Sequence, residues 1–179
     1  MTGKHAQLTP PVGPQDHAQG KPDAPVTLVE YGDYECPHCG RAYPIVKAVQ
    51  EQLGDRLRFV FRNFPLAEAH PHATAAAEAA EAAAQQGKFW EMHDALFEHQ
   101  DALSNAHLLK YAERLRIDAD KLQASLRKGE AAARVQADFT SGVRSGVNGT
   151  PTFFINGRRF DGDWTDVDAF AAALMESAS

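Results

Sequence analysis

The chain has 179 residues, enough for one domain or one domain with an insertion, and its 44% hydrophobic content can supply a substantial core. A formal net charge of −6 argues against a nucleic-acid or anionic-membrane surface, since both need clustered Lys and Arg. No run approaches the ~20 apolar residues of a membrane span, and the Ala-rich stretch 73–84 is interrupted by Glu78 and Glu81, so it reads as a helix in water.

Residues 1–22 are polar, include Pro10, Pro11 and Pro14, and show no periodicity; a flexible N-terminal arm is expected. They lack the apolar core and small-residue cleavage site of a secretory signal, which points to the cytoplasm. A mature chain whose signal had been removed would look similar, and would then be periplasmic or otherwise extracytoplasmic. Pro25 opens the run Val26–Tyr31, whose length and β-branched content predict a buried strand ended by Gly32 and Asp33. A helix follows over 37–53, with Ala42, Ile45, Val46, Val49 and Leu53 on one face. Pro37 suits its first turn, and Pro44 should kink it. Gly54 and Asp55 stop the helix, and Leu57–Phe61 reads as a second strand.

From His70 to Val147 the pattern is helical almost throughout. Helices are predicted over 73–86, up to Gly87, and over 88–99. Ser104 caps a third, with Leu108, Ala112 and Leu115 aligned, and Asp118 caps a fourth that ends near Gly129. A fifth aligns Ala132, Val135, Phe139 and Val143. After Gly149-Thr150-Pro151 the strand signal returns: Thr152–Ile155, the pair Asn156-Gly157, then Arg158–Phe160 spell a hairpin. Thr165 with Asp168 opens the last helix as an acidic capping box, its buried stripe being Val167, Phe170, Ala171 and Leu174.

This order gives an α/β fold: a mixed central sheet flanked by helices, with an inserted α-helical subdomain. The expected boundaries are an arm at 1–22, the sheet domain at 23–66 and 148–179, and the insertion at 67–147.

Both cysteines of the chain lie in Cys36-Pro37-His38-Cys39, at the junction of the first strand and first helix. The unpaired N–H groups and macrodipole of a helix N-terminus favour a thiolate there, lowering a cysteine from ~8.5 into roughly the 3.5–7.5 range. His38 can add a donor or a positive charge. Cys36, nearer the helix start and expected to be the more exposed, is assigned as nucleophile; Cys39, one turn in, would resolve a mixed disulfide. A structural zinc site would need a second ligand cluster that the sequence lacks, so no metal is expected. An inert staple across two residues would gain little from loop entropy.

Cys36-Pro37-His38-Cys39 after an apolar strand, a long helical insertion, and Gly149-Thr150-Pro151-Thr152 before a hairpin together resemble the DsbA-like branch of the thioredoxin superfamily, over residues 25–173. The segment Gly87–Phe97 resembles the helical domain of its bacterial members. The resemblance implies a thioredoxin fold and a protein-disulfide oxidoreductase that needs no cofactor beyond the redox-active pair Cys36–Cys39. It implies a cis peptide before Pro151, facing the cysteines, with Thr150 contacting an extended substrate as an added strand. Glu30, six residues before Cys36, matches a buried acidic residue of the family and would relay a proton to Cys39. That family's basic partner on the second strand finds no match at the expected register, although Arg56, Arg58 and Arg62 lie nearby. Glu35 is expected to be exposed; His70 and His72 are expected at a cap or turn, and His93 and His99 in packing or at the surface. The implied partners are protein or peptide thiols and disulfides and an unidentified redox-recycling protein. Nucleic acid and membrane are not expected, and a monomer is. Two other readings stand beside this one: a redox-switched binding module or holdase, and a glutathione-dependent transferase or isomerase, although the latter typically carries Ser where Cys36 stands.

Overall fold

A computed structural model describes residues 6–178. Five strands form one mixed sheet in the order β1-β3-β2-β4-β5: β1 (His17–Gln19), β2 (Val26–Gly32), β3 (Leu57–Asn63), β4 (Thr152–Ile155) and β5 (Arg158–Phe160). Seven α-helices are described: α1 (Pro37–Leu53), α2 (Ala73–Ala84), α3 (Phe89–Glu98), α4 (Asn105–Arg114), α5 (Ala119–Lys128), α6 (Glu130–Arg144) and α7 (Val167–Glu176). The chain is a mixed α/β thioredoxin-like fold, as expected. It divides into two compact units, one of Asp33–Gly40 with Asn63–Phe139, the other of the remaining described residues.

The sheet unit is ordered by alternation along its central strands. Glu30 of β2 pairs with Phe153 of β4 and Leu28 with Ile155, so these four share one face; Tyr31 and Phe154 belong to the other. On the first face Phe153 meets Phe170 of α7 edge-on. On the second, the Tyr31 and Phe154 rings meet as a T. The β4–β5 turn is as predicted: Asn156 and Gly157 both have positive φ, the requirement of a type I′ hairpin.

The N-terminal stretch departs from the expected structureless arm. Gln7 bridges to Arg158 and the Leu8 N–H donates to the Gly157 carbonyl, while His17–Gln19 pair antiparallel with β3. Both flanks of the sheet are thereby covered, which leaves fewer backbone groups unpaired at its edges. Arg62 holds the crossing. Its guanidinium donates to both carboxylate oxygens of Asp16, to the carbonyls of Pro10 and Pro11, and to the Tyr31 hydroxyl. Backbone pairing and one buried arginine need no hydrophobic periodicity, so the pattern gave no sign of them.

In the helical unit α2 is buried almost all round, and its alanines admit α3, α4 and α5 at close range. The buried side of α6 is Ala131, Val135 and Asp138 rather than the expected Ala132, Val135, Phe139 and Val143; Val143 is 55% exposed. Asp138 occupies that face because Asn63 needs it: its carboxylate accepts from the Asn63 backbone and side-chain N–H groups, each at 2.9 Å. The last helix is capped one residue later than predicted, by Asp166 accepting from the Ala169 N–H, while Thr165 bonds Asp163.

Candidate active site

The site is built on the turn between β2 and α1. β2 ends at Gly32, and the Cys36 N–H closes a turn onto the Asp33 carbonyl at 3.2 Å. The Cys36 carbonyl then accepts the Gly40 N–H at 3.0 Å, which makes Cys36 the cap of α1, with Pro37 in the first helical position. Helix periodicity carries Cys39 inward, at the head of the buried stripe Cys39, Ala42, Val46, Val49 and Leu53. Cys36 is 3% exposed and Cys39 0%, so the nucleophile candidate is more sheltered than its place before the helix suggests. Pro37 and His38 are exposed. The Asp33 N–H points at the Cys39 sulfur, 3.5 Å away, a donor suited to negative charge there.

Asp33 organises the turn. Its buried carboxylate accepts the Glu35 N–H at 2.8 Å through one oxygen. Through the other it meets the Leu66 N–H at 2.9 Å and the His70 Nδ1 at 2.7 Å. Burial pulls the His70 imidazolium below its ordinary 6.5, but the hydrogen bond and charge of Asp33, with the charges of Cys36 and Glu35, outweigh it and hold the group above that value. Glu35 is not simply exposed: it accepts from the His72 Nδ1 at 2.9 Å and caps the His72 N–H. The two histidines expected only at a cap or turn are thus both tied to the segment that precedes Cys36.

A second set of contacts secures the same turn. The Gln100 side-chain amide donates to the carbonyls of Tyr34 and Cys36, each at 2.9 Å. Gly40 leaves room for it: a Cβ there would lie 2.7 Å from the Gln100 Cδ. The Tyr34 hydroxyl bonds the His93 Nδ1 at 2.9 Å, and its ring packs on Phe97. His93 also contacts Phe89 and Trp90, so these aromatics are packed together.

Glu30, Thr150 and Pro151 lie in the sheet unit. Glu30 is 2% exposed on β2, and its carboxylate lies beside Gly32, where an added Cβ would be 2.7 Å from Oε2 and 2.5 Å from the Phe61 ring. The Thr150–Pro151 peptide is cis, as is Thr9–Pro10, for which the sequence offered no sign. Thr150 and Pro151 are half-buried, and the Thr152 hydroxyl donates to the Gly149 carbonyl at 2.7 Å, closing the turn before β4. Arg62, the one buried arginine of β3, is committed to Asp16 and the N-terminal segment. Among the described residues no cluster of three or more His, Cys, Asp or Glu is placed to hold a metal ion.

The family model described as Thioredoxin matches residues 13–175. BdbD from Bacillus subtilis, in a crystal structure of its oxidised form, superposes with a TM-score of 0.82 at 27% identity, covering 97% of each chain. The chain belongs to the DsbA-like thioredoxin family. A thioredoxin-like oxidoreductase from Silicibacter pomeroyi is similar at 28% identity and a TM-score of 0.77, covering 92% of this chain and 93% of that one. A protein named Na(+)/H(+) antiporter NhaA 3, from Salinispora tropica, is 51% identical over 173 residues. The match covers 95% of this chain but 26% of that protein, so the chain spans about a quarter of the length of the curated relatives it matches. No described helix of the chain is long and apolar enough to cross a membrane.

Proposed function

We propose that this DsbA-like chain is a protein thiol-disulfide oxidoreductase that works through a mixed disulfide at Cys36, resolved by Cys39. The observation that carries this is the placement of the pair: Cys36 caps α1, and Cys39, three residues on, lies under the Asp33 N–H. In the oxidising direction a substrate thiolate attacks the Cys36 sulfur of the Cys36–Cys39 disulfide. The S–S bond breaks, and Cys39 leaves as a thiolate that takes up a proton. A second substrate thiolate then attacks the mixed disulfide, the substrate departs as a disulfide, and Cys36 leaves as a thiolate. The two electrons stay on the cysteine pair until a recycling protein disulfide removes them. Reduction of a substrate is the same sequence reversed. A helix-cap position stabilises the Cys36 thiolate and so the reduced pair, which favours the oxidising direction.

Glu30, buried on β2, supplies and accepts the proton that Cys39 exchanges. The backbone around Thr150 and the cis-Pro151 pairs with an extended substrate segment, and the half-buried setting of both leaves them reachable. His38, exposed on the first turn of α1, meets the substrate or adds charge to the thiolate. The chain acts as a monomer on protein or peptide thiols. The comparisons give no support to a cytoplasmic address; an oxidant belongs in an extracytoplasmic compartment, where disulfides persist. The antiport in the relatives' names belongs to much longer proteins and is not proposed for this chain.

The test is catalysed thiol-disulfide exchange on a model protein disulfide, with the Cys36→Ser variant beside the wild type. Turnover that depends on Cys36 supports the reading. Substrate binding without turnover would favour a redox-switched binding module, and glutathione transfer without protein exchange would favour the transferase reading.

A further inference from the structure

Asp33 holds two positions in the site at once. Its main chain reaches both cysteines, the carbonyl accepting the Cys36 N–H and the N–H donating to the Cys39 sulfur. Its side chain, 0% exposed, is 2.7 Å from the Nδ1 of His70, itself 19% exposed. A carboxylate that only secured the loop would be served by the amides of Glu35 and Leu66, which it already accepts. The imidazole adds a group that can carry a positive charge in the surroundings of Cys36.

We propose that His70, oriented by Asp33, is the cationic positioning residue that stabilises the Cys36 thiolate. The proposal rests on the reading of Cys36 as the attacking thiol. His70 is in contact with Asp33, and the hydrogen bond and charge of Asp33, with the charges of Cys36 and Glu35, outweigh burial in holding the imidazolium above its ordinary 6.5. Glu35, in the same turn, is bonded to His72 at the start of α2, but that pair is the more exposed one, with His72 at 51% against 19% for His70. By Nδ1–H donation to Asp33, the ring orientation and tautomer are set, and Nε2 is left to hold the second proton. The thiolate and the imidazolium each favour the other's charged form. His70 forms no bond to substrate in this role and transfers no electron; it shifts the thiol–thiolate balance of Cys36 and thereby the redox balance of the pair.

The test uses full-length chains carrying Cys39→Ser, so that Cys36 alone titrates, and follows thiolate absorbance against pH. His70→Asn, which keeps a donor toward Asp33 but no charge, is expected to raise the Cys36 pKa by about 1 unit. His70→Lys is expected to bring it back toward the wild-type value. In chains with both cysteines, His70→Asn should make the pair about tenfold easier to oxidise, roughly 30 mV for the two-electron couple. A His70→Asn variant that melts earlier yet keeps the wild-type Cys36 pKa would overturn the proposal in favour of a purely structural histidine. So would a raised pKa that His70→Lys does not reverse. Exchange that survives Cys36→Ser would instead sink the underlying functional reading, which separates the two failures.

Discussion

Replacing Asp33 by Asn keeps the volume of the side chain and removes its charge. The native carboxylate is fully buried and makes three contacts, with the Glu35 N–H at 2.8 Å, the Leu66 N–H at 2.9 Å and the His70 Nδ1 at 2.7 Å. The variant keeps one oxygen, so its amide NH2 must turn toward a donor it cannot satisfy. Removing one partner of a buried charged pair costs about 3–5 kcal/mol. His70 retains 19% of its side-chain surface, so water screens part of the interaction and the low end, about 3 kcal/mol, is expected. At roughly 2–4 °C per kcal/mol for a chain of this size, the melting temperature should fall by about 6–12 °C.

The loss should also depend on pH. The folded-state pKa of His70 is raised above 6.5, so its contribution is fully present below 6.5 and fades as pH rises through the folded value. Asp33→Asn deletes that contribution, and the gap between wild type and variant should therefore narrow on the alkaline side of the folded His70 pKa. Urea unfolding of both proteins across the range measures it. A deficit below about 1 kcal/mol, or one that is the same on both sides, would refute the reasoning, because neither fits a buried carboxylate bonded to an imidazolium.

Gln100→Ala removes two hydrogen bonds to the carbonyls of Tyr34 and Cys36 and should cost about 1–3 kcal/mol, while slowing exchange through a less ordered Cys36 turn; an unchanged urea midpoint would contradict it. Gly32→Ala puts a Cβ 2.5 Å from the Phe61 ring and 2.7 Å from the Glu30 carboxylate, so an overpacking loss of about 1–3 kcal/mol is expected in a thermal melt, and a neutral result would show that β2 and β3 separate more easily than their packing implies. Burial raises the Asp138 carboxyl above 3.8, against the opposing pull of Arg134 and Asn63. A raised acid contributes stability below 3.8 that is lost as pH rises through the folded pKa. Asp138→Asn should therefore gain on the wild type as pH rises through that window, and parallel stability curves would contradict the shift.

Much of the fold was legible because it obeys local rules. The first helix begins at Pro37 and ends at Leu53 as its apolar spacing and flanking Gly54 require, and Asn156-Gly157 makes the turn that its left-handed preference dictates. Ser104 and Asp118 cap α4 and α5 as read. The cysteine pair was visible for the same reason, being a motif of four consecutive residues. What escaped was long-range polar pairing. Asp33 and His70 are 37 positions apart, and Tyr34 and His93 are 59 apart. A histidine at a helix start or on an aromatic helix carries no mark of the residue it will meet. Gln100 is a lone amide after a helix, with nothing in its neighbours to point at Cys36. Val143 is exposed because two nearly coincident stripes run along α6, and the buried one includes Asp138, a residue that hydrophobic periodicity does not mark.

The most direct test of the account is mass spectrometry of the Cys39→Ser variant after incubation with an oxidised protein substrate. The account predicts a stable adduct joined through Cys36, absent in Cys36→Ser and released by added thiol. No adduct at Cys36 in the Cys39→Ser variant, together with undiminished exchange by Cys36→Ser, would contradict it.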